Sequence, residues 1–252
     1  MGKKGKTGRL KRKPAPDFWP IHKKEFTWVV KPAAGPHSLE NCLPLTIVLR
    51  DILEVAKTTK EVAMILSQGK VIVDGKVRRR VDFPVGLMDV ISIPDLKGFY
   101  RILPTHKGLS LSLIGKDEAA FKLCRVDDKN TVSNGVQVAL HDGSNMFVRT
   151  TDRTKPTTSL YETFDTLKLS LPEKEVLDVV KTKVGNLAVI TGGKNIGKMG
   201  RIVEIEQTEA KKRREALAVI EDETGNKYQT IMDYLFSIGE KKPLITEATP
   251  VV

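Results

Sequence analysis

The sequence predicts an α+β chain of several units: an extended basic arm, an α/β helix-helix-hairpin module, a β-rich centre and a small C-terminal β-barrel. Three observations predict it. Eight surplus positive charges crowd into the first 31 residues, apolar residues recur at helical spacing between residues 45 and 66, and short β-patterned runs separated by glycine turns fill much of the rest. At 252 residues the chain exceeds the usual length of one compact domain and favours two or three modules. The expected divisions are an arm over 1–42, an α/β module over 43–104, a β-rich domain over 105–177, a barrel over 178–240 and a tail over 241–252.

The arm holds Lys3, Lys4, Lys6, Arg9, Lys11, Arg12, Lys13, Lys23, Lys24 and Lys31 against only Asp17 and Glu25. Beyond it, 32 basic groups nearly balance 29 acidic ones, so the net charge of +11 is concentrated at one end. That asymmetry points to a polyanionic partner met first by the N-terminus. Glycines and prolines break any sustained apolar period there, which reads as an extended segment. Trp19 and Trp28, with Phe18 and Phe26, place aromatic rings among the cations, suited to stacking on unpaired bases or anchoring against the protein body, and the two tryptophans are counted among the expected RNA contacts.

In the α/β module, Leu45, Val48, Leu49, Ile52 and Leu53 fall at the spacing of one buried helix face, leaving Arg50 and Lys57 to water. A second helix starts at a capping box, Thr58 with Glu61, and stops at Gly69. Val71 to Val73 then pair with the segment from Val77 through an Asp74-Gly75 turn of type I′, and Val90 to Ile93 closes the module. Arg50, Lys57, Lys60, Lys70, Lys76, Arg78, Arg79 and Arg80 form a patch suited to a phosphate backbone, with arginine able to fork phosphates and stack on bases.

The centre alternates short apolar runs with turn clusters such as Ser133-Asn134-Gly135 and His141-Asp142-Gly143, the rhythm of antiparallel strands. In the last unit, strands near Leu187 and Ile202 flank a glycine-rich loop, and further strands near 216–220 and 228–238 complete a barrel. Lys194, Asn195, Lys198 and Arg201 of that loop are expected to face RNA, the glycines allowing close backbone approach.

Other chemistry is excluded residue by residue. Gly192 to Lys198 fits the GxxxxGK part of a nucleotide-binding loop, but Met199 replaces the hydroxyl that holds magnesium and a β pattern replaces the required helix. Cys42 and Cys124 have no paired spacing, the four histidines are scattered, and no metal or cofactor is expected. Gly8-Arg9-Leu10-Lys11 resembles the GRLD element of pseudouridine synthases, yet Lys11 stands in place of the catalytic carboxylate. No apolar run approaches the roughly 18 residues of a membrane span, and no apolar stretch follows the cationic start, so a cytoplasmic, non-catalytic protein is expected.

Three stretches carry a family resemblance. Residues 43–93 resemble the alpha-L RNA-binding fold, most clearly in Thr59-Lys-Glu-Val-Ala-Met-Ile-Leu and Gly69-Lys-Val-Ile-Val-Asp-Gly-Lys76. Residues 184–206 look like a KOW motif, found in small SH3-like barrels, and Leu10 to Trp19 is similar to an N-terminal signature. The chain order of basic arm, alpha-L fold, β-rich middle and KOW barrel resembles family four of the archaeal and eukaryotic small-subunit ribosomal proteins. That resemblance implies a structural constituent of the small ribosomal subunit, supporting translation from the cytoplasmic ribosome, with ribosomal RNA and neighbouring ribosomal proteins as partners. A KOW-containing elongation factor and an RNA-modifying enzyme with an alpha-L anchor remain the alternatives; neither a polymerase-binding domain nor a catalytic carboxylate supports them.

Overall fold

The computed structural model describes residues 8–96, 98–132, 135–149, 161–206 and 213–246. Within them the basic segment does not extend away from the body. Leu10–Lys11 (β1) pairs antiparallel with Trp28–Val29 (β2), and the intervening chain turns inward. Ala15 and Trp19 enter an apolar core with Leu43, Leu49, Val62 and Leu66. The Trp19 indole N–H donates to the Cys42 carbonyl at 2.8 Å, giving the ring's one polar atom a partner as it leaves water. The arm is thus a folded cover from residue 8 onward, because its aromatic content outweighs the tendency of its charge to stay solvated.

After Cys42–Pro44 (β3) comes a short helix, Leu45–Ile47 (α1), which widens into a π-helical turn over Val48–Ile52. A regular helix exposing one face was expected. Instead every residue from Leu45 to Leu49 is buried, and the Leu53 amide bonds the Val48 carbonyl five residues back. The π turn takes up one extra residue per turn, so a segment packed on all sides keeps Leu53 over the core. Thr59–Ser67 (α2) forms as expected: Thr58 Oγ1 accepts from the Glu61 amide while Glu61 reaches back to the Thr58 amide.

Ile72–Val73 (β4) and Lys76–Val77 (β5) make the predicted hairpin, with Asp74 and Gly75 at φ of 50° and 73°. Pro84–Gly86 (β6) pairs with β3, and Val90–Ile93 (β7), Gly98–Thr105 (β8) and Gly108–Ile114 (β9) extend the hairpin into a five-stranded antiparallel sheet ordered β5-β4-β7-β8-β9. The division expected at residue 104 therefore falls inside the β8–β9 hairpin, and Leu109 and Leu111 belong to the first sheet.

A one-turn helix, Lys116–Ala119 (α3), leads to Phe121–Val132 (β10), the long strand of the second sheet. With Gly135–Leu140 (β11), Asn145–Arg149 (β12), Thr166–Ser170 (β13) and Val176–Val180 (β14) it is ordered β12-β11-β10-β13-β14. The first half of β10 pairs with β13 and the second with β11, changing partner at an irregularity around Asp127. The third sheet comprises Leu187–Ile190 (β15), Met199–Glu206 (β16), Leu217–Glu221 (β17), Lys227–Ile231 (β18) and Leu235–Gly239 (β19), ordered β18-β17-β16-β15-β19. A bulge between Ile202 and Glu204 turns Val203 outward and returns Ile205 towards the core.

The three sheets share side chains. Met88 from the turn before β7, Leu103 from the first sheet, Leu123 from the second and Val189, Phe236 and Ile238 from the third form one apolar cluster. Ile245 completes it, and the Thr246 amide and hydroxyl donate to the Glu118 carboxylate. Residues 241–246, expected as a tail, are a strap across this junction.

A buried ionic cluster lies at the same seam. Lys122 Nζ on β10 donates to Asp74 at 2.8 Å, Asp89 at 2.5 Å and Asp142 at 3.3 Å. Asp89 also meets His37 Nε2 at 3.0 Å and accepts from the Gly86 amide, while Lys174 pairs with Asp142 at 3.0 Å. Burial alone would raise the Asp89 carboxyl; Lys122 and His37 overcome that and hold it below the usual range. Burial acts likewise on Asp142, where Lys122, Ser144 and Lys174 outweigh it. Asp74 moves the other way, raised by burial and by the charge of Asp89. Burial would discharge Lys122, yet the aspartates keep its ammonium charged well above the normal lysine range.

Candidate nucleic-acid interface

The β1–β2 hairpin and the arginine link after β5 face each other across an open groove of about 840 Å³. Arg9, Leu10, Trp28 and Lys31 line one side, and Arg79, Arg80 and Asp82 the other. Trp28 is about half exposed (49%), and the Arg9 guanidinium lies 5.8 Å from its ring centroid. Arg80 grips Asp82 through two hydrogen bonds of 3.0 and 2.8 Å, which hold that carboxyl below its ordinary value. Arg79 is exposed and, among the described residues, has no ion-pair partner. A strand trace of cations beside an accessible indole is the arrangement that tracks a phosphate backbone while a base stacks.

The expected contact residues separate into three groups. Lys3, Lys4 and Lys6 lie outside the described residues. Lys11, Lys13, Lys24, Lys57, Lys60 and Lys76 are exposed. Others are engaged within the protein: Lys23 with Asp17, Lys70 with Asp95 at 2.7 Å, and Arg50 in a two-bond pair with Asp51 that also reaches Thr59. The Asp51 hydrogen bonds raise the Arg50 guanidinium further above its already high value. Arg78 lies over the Phe83 ring at 4.4 Å.

Two expectations are corrected. Trp19 is 3% exposed and cannot stack on a base, since its faces are covered by the core it completes. Arg12 is also buried: it donates to the His22 carbonyl at 2.7 Å and to Glu25 at 3.2 Å, and lies 5.0 Å from the Phe26 ring. Its charge fixes the cover in place, leaving Phe26 outermost at 62% exposure. Sequence reasoning could not separate Trp19 from Trp28, because both stand between cations in a segment without apolar period.

The loop between β15 and β16 presents Lys194 and Lys198 at the surface, and Arg201 follows on β16. Lys198 Nζ lies 5.4 Å from the Tyr228 ring, Asn195 donates to the Gln229 carbonyl, and Arg201 donates to the carbonyls of Gly185 and Lys241. Two of the glycines have a packing role within the protein. A Cβ on Gly192 would stand 2.7 Å from the Tyr234 ring, and one on Gly197, at φ of 83°, 2.8 Å from Thr105 Cα. They allow the loop to pack against Tyr234 and on the β8–β9 turn. The strand β16 after Lys198 replaces the helix that a nucleotide-binding loop requires.

Comparison with known proteins finds matches along most of the chain. Residues 4–40 match the RS4NT (NUC023) domain, 44–91 the S4 domain and 97–176 ribosomal family S4e. The small ribosomal subunit protein eS4 of Desulfurococcus amylolyticus is 45% identical over 247 residues, covering 97% of both chains. That of Staphylothermus marinus is 44% identical with the same coverage. The crystal structure of the 30S ribosomal protein S4e from Thermoplasma acidophilum superimposes with a TM-score of 0.66 at 31% identity, covering 81% of this chain and 99% of that one. With near-complete coverage at such identity, the chain belongs to ribosomal family S4e.

Proposed function

We infer that this protein is a structural constituent of the small ribosomal subunit, resident in the cytoplasmic ribosome, and that it supports translation by holding ribosomal RNA segments in fixed relation without turnover. The observation that carries the RNA contact is the groove between the β1–β2 hairpin and the arginine link, where Trp28 stands exposed between Arg9 and Arg79. Its cations neutralise phosphates and release counterions; its indole stacks on an unpaired base. Lys11, Lys13, Lys57 and Lys60 extend the basic surface, and Lys3, Lys4 and Lys6 add positive charge at the N-terminus. The third sheet, read as a KOW-type barrel, adds a second contact through Lys194 and Lys198. Two contacts on one body, joined through the apolar cluster that the three sheets share, set the distance between two RNA segments. Neighbouring ribosomal proteins would cover surface left by the RNA. The test is RNA binding by a variant carrying Arg9→Ala, Trp28→Ala and Arg79→Ala, measured on small-subunit ribosomal RNA across a salt series. A shallower salt slope with unchanged thermal stability supports the reading; an unchanged slope removes the groove from it.

A further inference from the structure

A second concavity, of about 290 Å³, opens where all three sheets and the N-terminal cover meet. Phe18, Tyr234 and Phe236 give it aromatic walls, and Phe18 is seated by Gly108, whose φ of 114° brings the β8–β9 turn against its Cβ. Its ionisable lining is Glu40, Asp127, Asp233, Arg125 and two histidines. Arg125 is spent inside the protein: its Nε pairs with Asp127 at 2.9 Å, and its Nη1 donates to the Asp233 and Leu235 carbonyls at 2.6 and 3.1 Å. Burial pushes His141 down to about 3, so it stays neutral. Glu40 and Asp233 are left with carboxylates that have no ion-pair or hydrogen-bond partner among the described residues.

We propose that this cleft is a docking pocket for an arginine side chain presented by a partner polypeptide. Two uncompensated carboxylates on a chain of net charge +11 select a cation, and they repel the phosphates that the basic groove attracts. The volume is at the small end of ligand pockets, which suits one extended side chain better than a folded surface. Aromatic walls favour the planar guanidinium, which stacks on rings and forks carboxylates, over the compact lysine ammonium. The pocket uses none of the groove residues, so it stands or falls independently of the RNA contact.

The test is two-dimensional NMR of the full chain titrated with the blocked tripeptides Gly-Arg-Gly, Gly-Lys-Gly and Gly-Glu-Gly and with guanosine monophosphate. The arginine peptide is expected to shift the amides of Phe18, Asn41 and Tyr234 and to bind more tightly than the lysine peptide. A chain carrying Glu40→Gln and Asp233→Asn, which leaves the Asp233 carbonyl to Arg125, is expected to bind it at least tenfold more weakly with an otherwise unchanged spectrum. Equal binding by that variant overturns the proposal. So does a cleft that responds to the nucleotide and not to arginine, or one that admits the peptide only after residues 1–7 are removed, which would make the chain's own lysines the occupant.

Discussion

Lys122→Met keeps the stem of the side chain and removes its charge from the seam. The ammonium touches three carboxylates within 3.3 Å, and Lys122, Asp89 and Asp142 side chains are each 2% exposed or less. Without it, Asp89 keeps His37 and the Gly86 amide, and Asp142 keeps Lys174 and Ser144, while Asp74 keeps only the Val90 amide. Removing one partner of a buried charge pair costs about 3–5 kcal/mol, so the midpoint of thermal unfolding should fall by roughly 6–20 °C for a chain of this size. The assay is urea unfolding at pH 7 and at pH 5, followed by tryptophan fluorescence and circular dichroism. The deficit should shrink at pH 5, because orphaned buried carboxyls titrate higher and can take up protons. Adding Asp89→Asn should recover at least about 1 kcal/mol by relieving the like-charge repulsion. A loss below about 1 kcal/mol, or one indifferent to pH, would refute the claim that the cluster couples the sheets.

Further outcomes follow from the same geometry. Burial lowers His141 from 6.5 to about 3, so the unfolded chain binds a proton that the folded one refuses. Stability is then full above pH 6.5 and falls towards pH 3 by up to about 1.4 kcal/mol per unit, an effect His141→Gln should flatten in acid titrations. Trp19→Ala should cost about 3–5 kcal/mol in unfolding experiments, whereas Trp28→Ala should leave stability within about 0.5 kcal/mol and weaken RNA binding by about 1–3 kcal/mol in filter assays. Gly197→Val should lower stability by about 1–3 kcal/mol through both its φ and its approach to Thr105, seen as a lower melting temperature.

Local signals in the sequence translated directly into structure. The Thr58–Glu61 box, the Asp74-Gly75 turn and the β run after Lys198 each depend on neighbours a few residues apart, and each formed as read. What the sequence concealed depends on contacts across long separations. Asp74 read as a turn former, yet its carboxylate answers Lys122, 48 residues on. Arg12 and Trp19 carried the composition of a solvated arm, but partners at Glu25 and Cys42 draw them inside. The cleft at the sheet junction draws on residues from Phe18 to Phe236, and no window of sequence places them together. Glycine spacing around Lys194 signalled closeness to something; only the fold shows Tyr234 and Thr105 as the neighbours.

The strap over residues 241–246 has a bearing on the order of events during synthesis. Phe236, Ile238 and Ile245 emerge after every other member of the cluster they complete, including Met88, Leu103, Leu123 and Val189. A nascent chain can therefore close its first two sheets early but must hold an apolar seam open until the last strand arrives. During that interval Met88 and Leu103 lack the side chains that later cover them. The final dozen described residues thus act as a timer, setting when the junction of the three sheets closes.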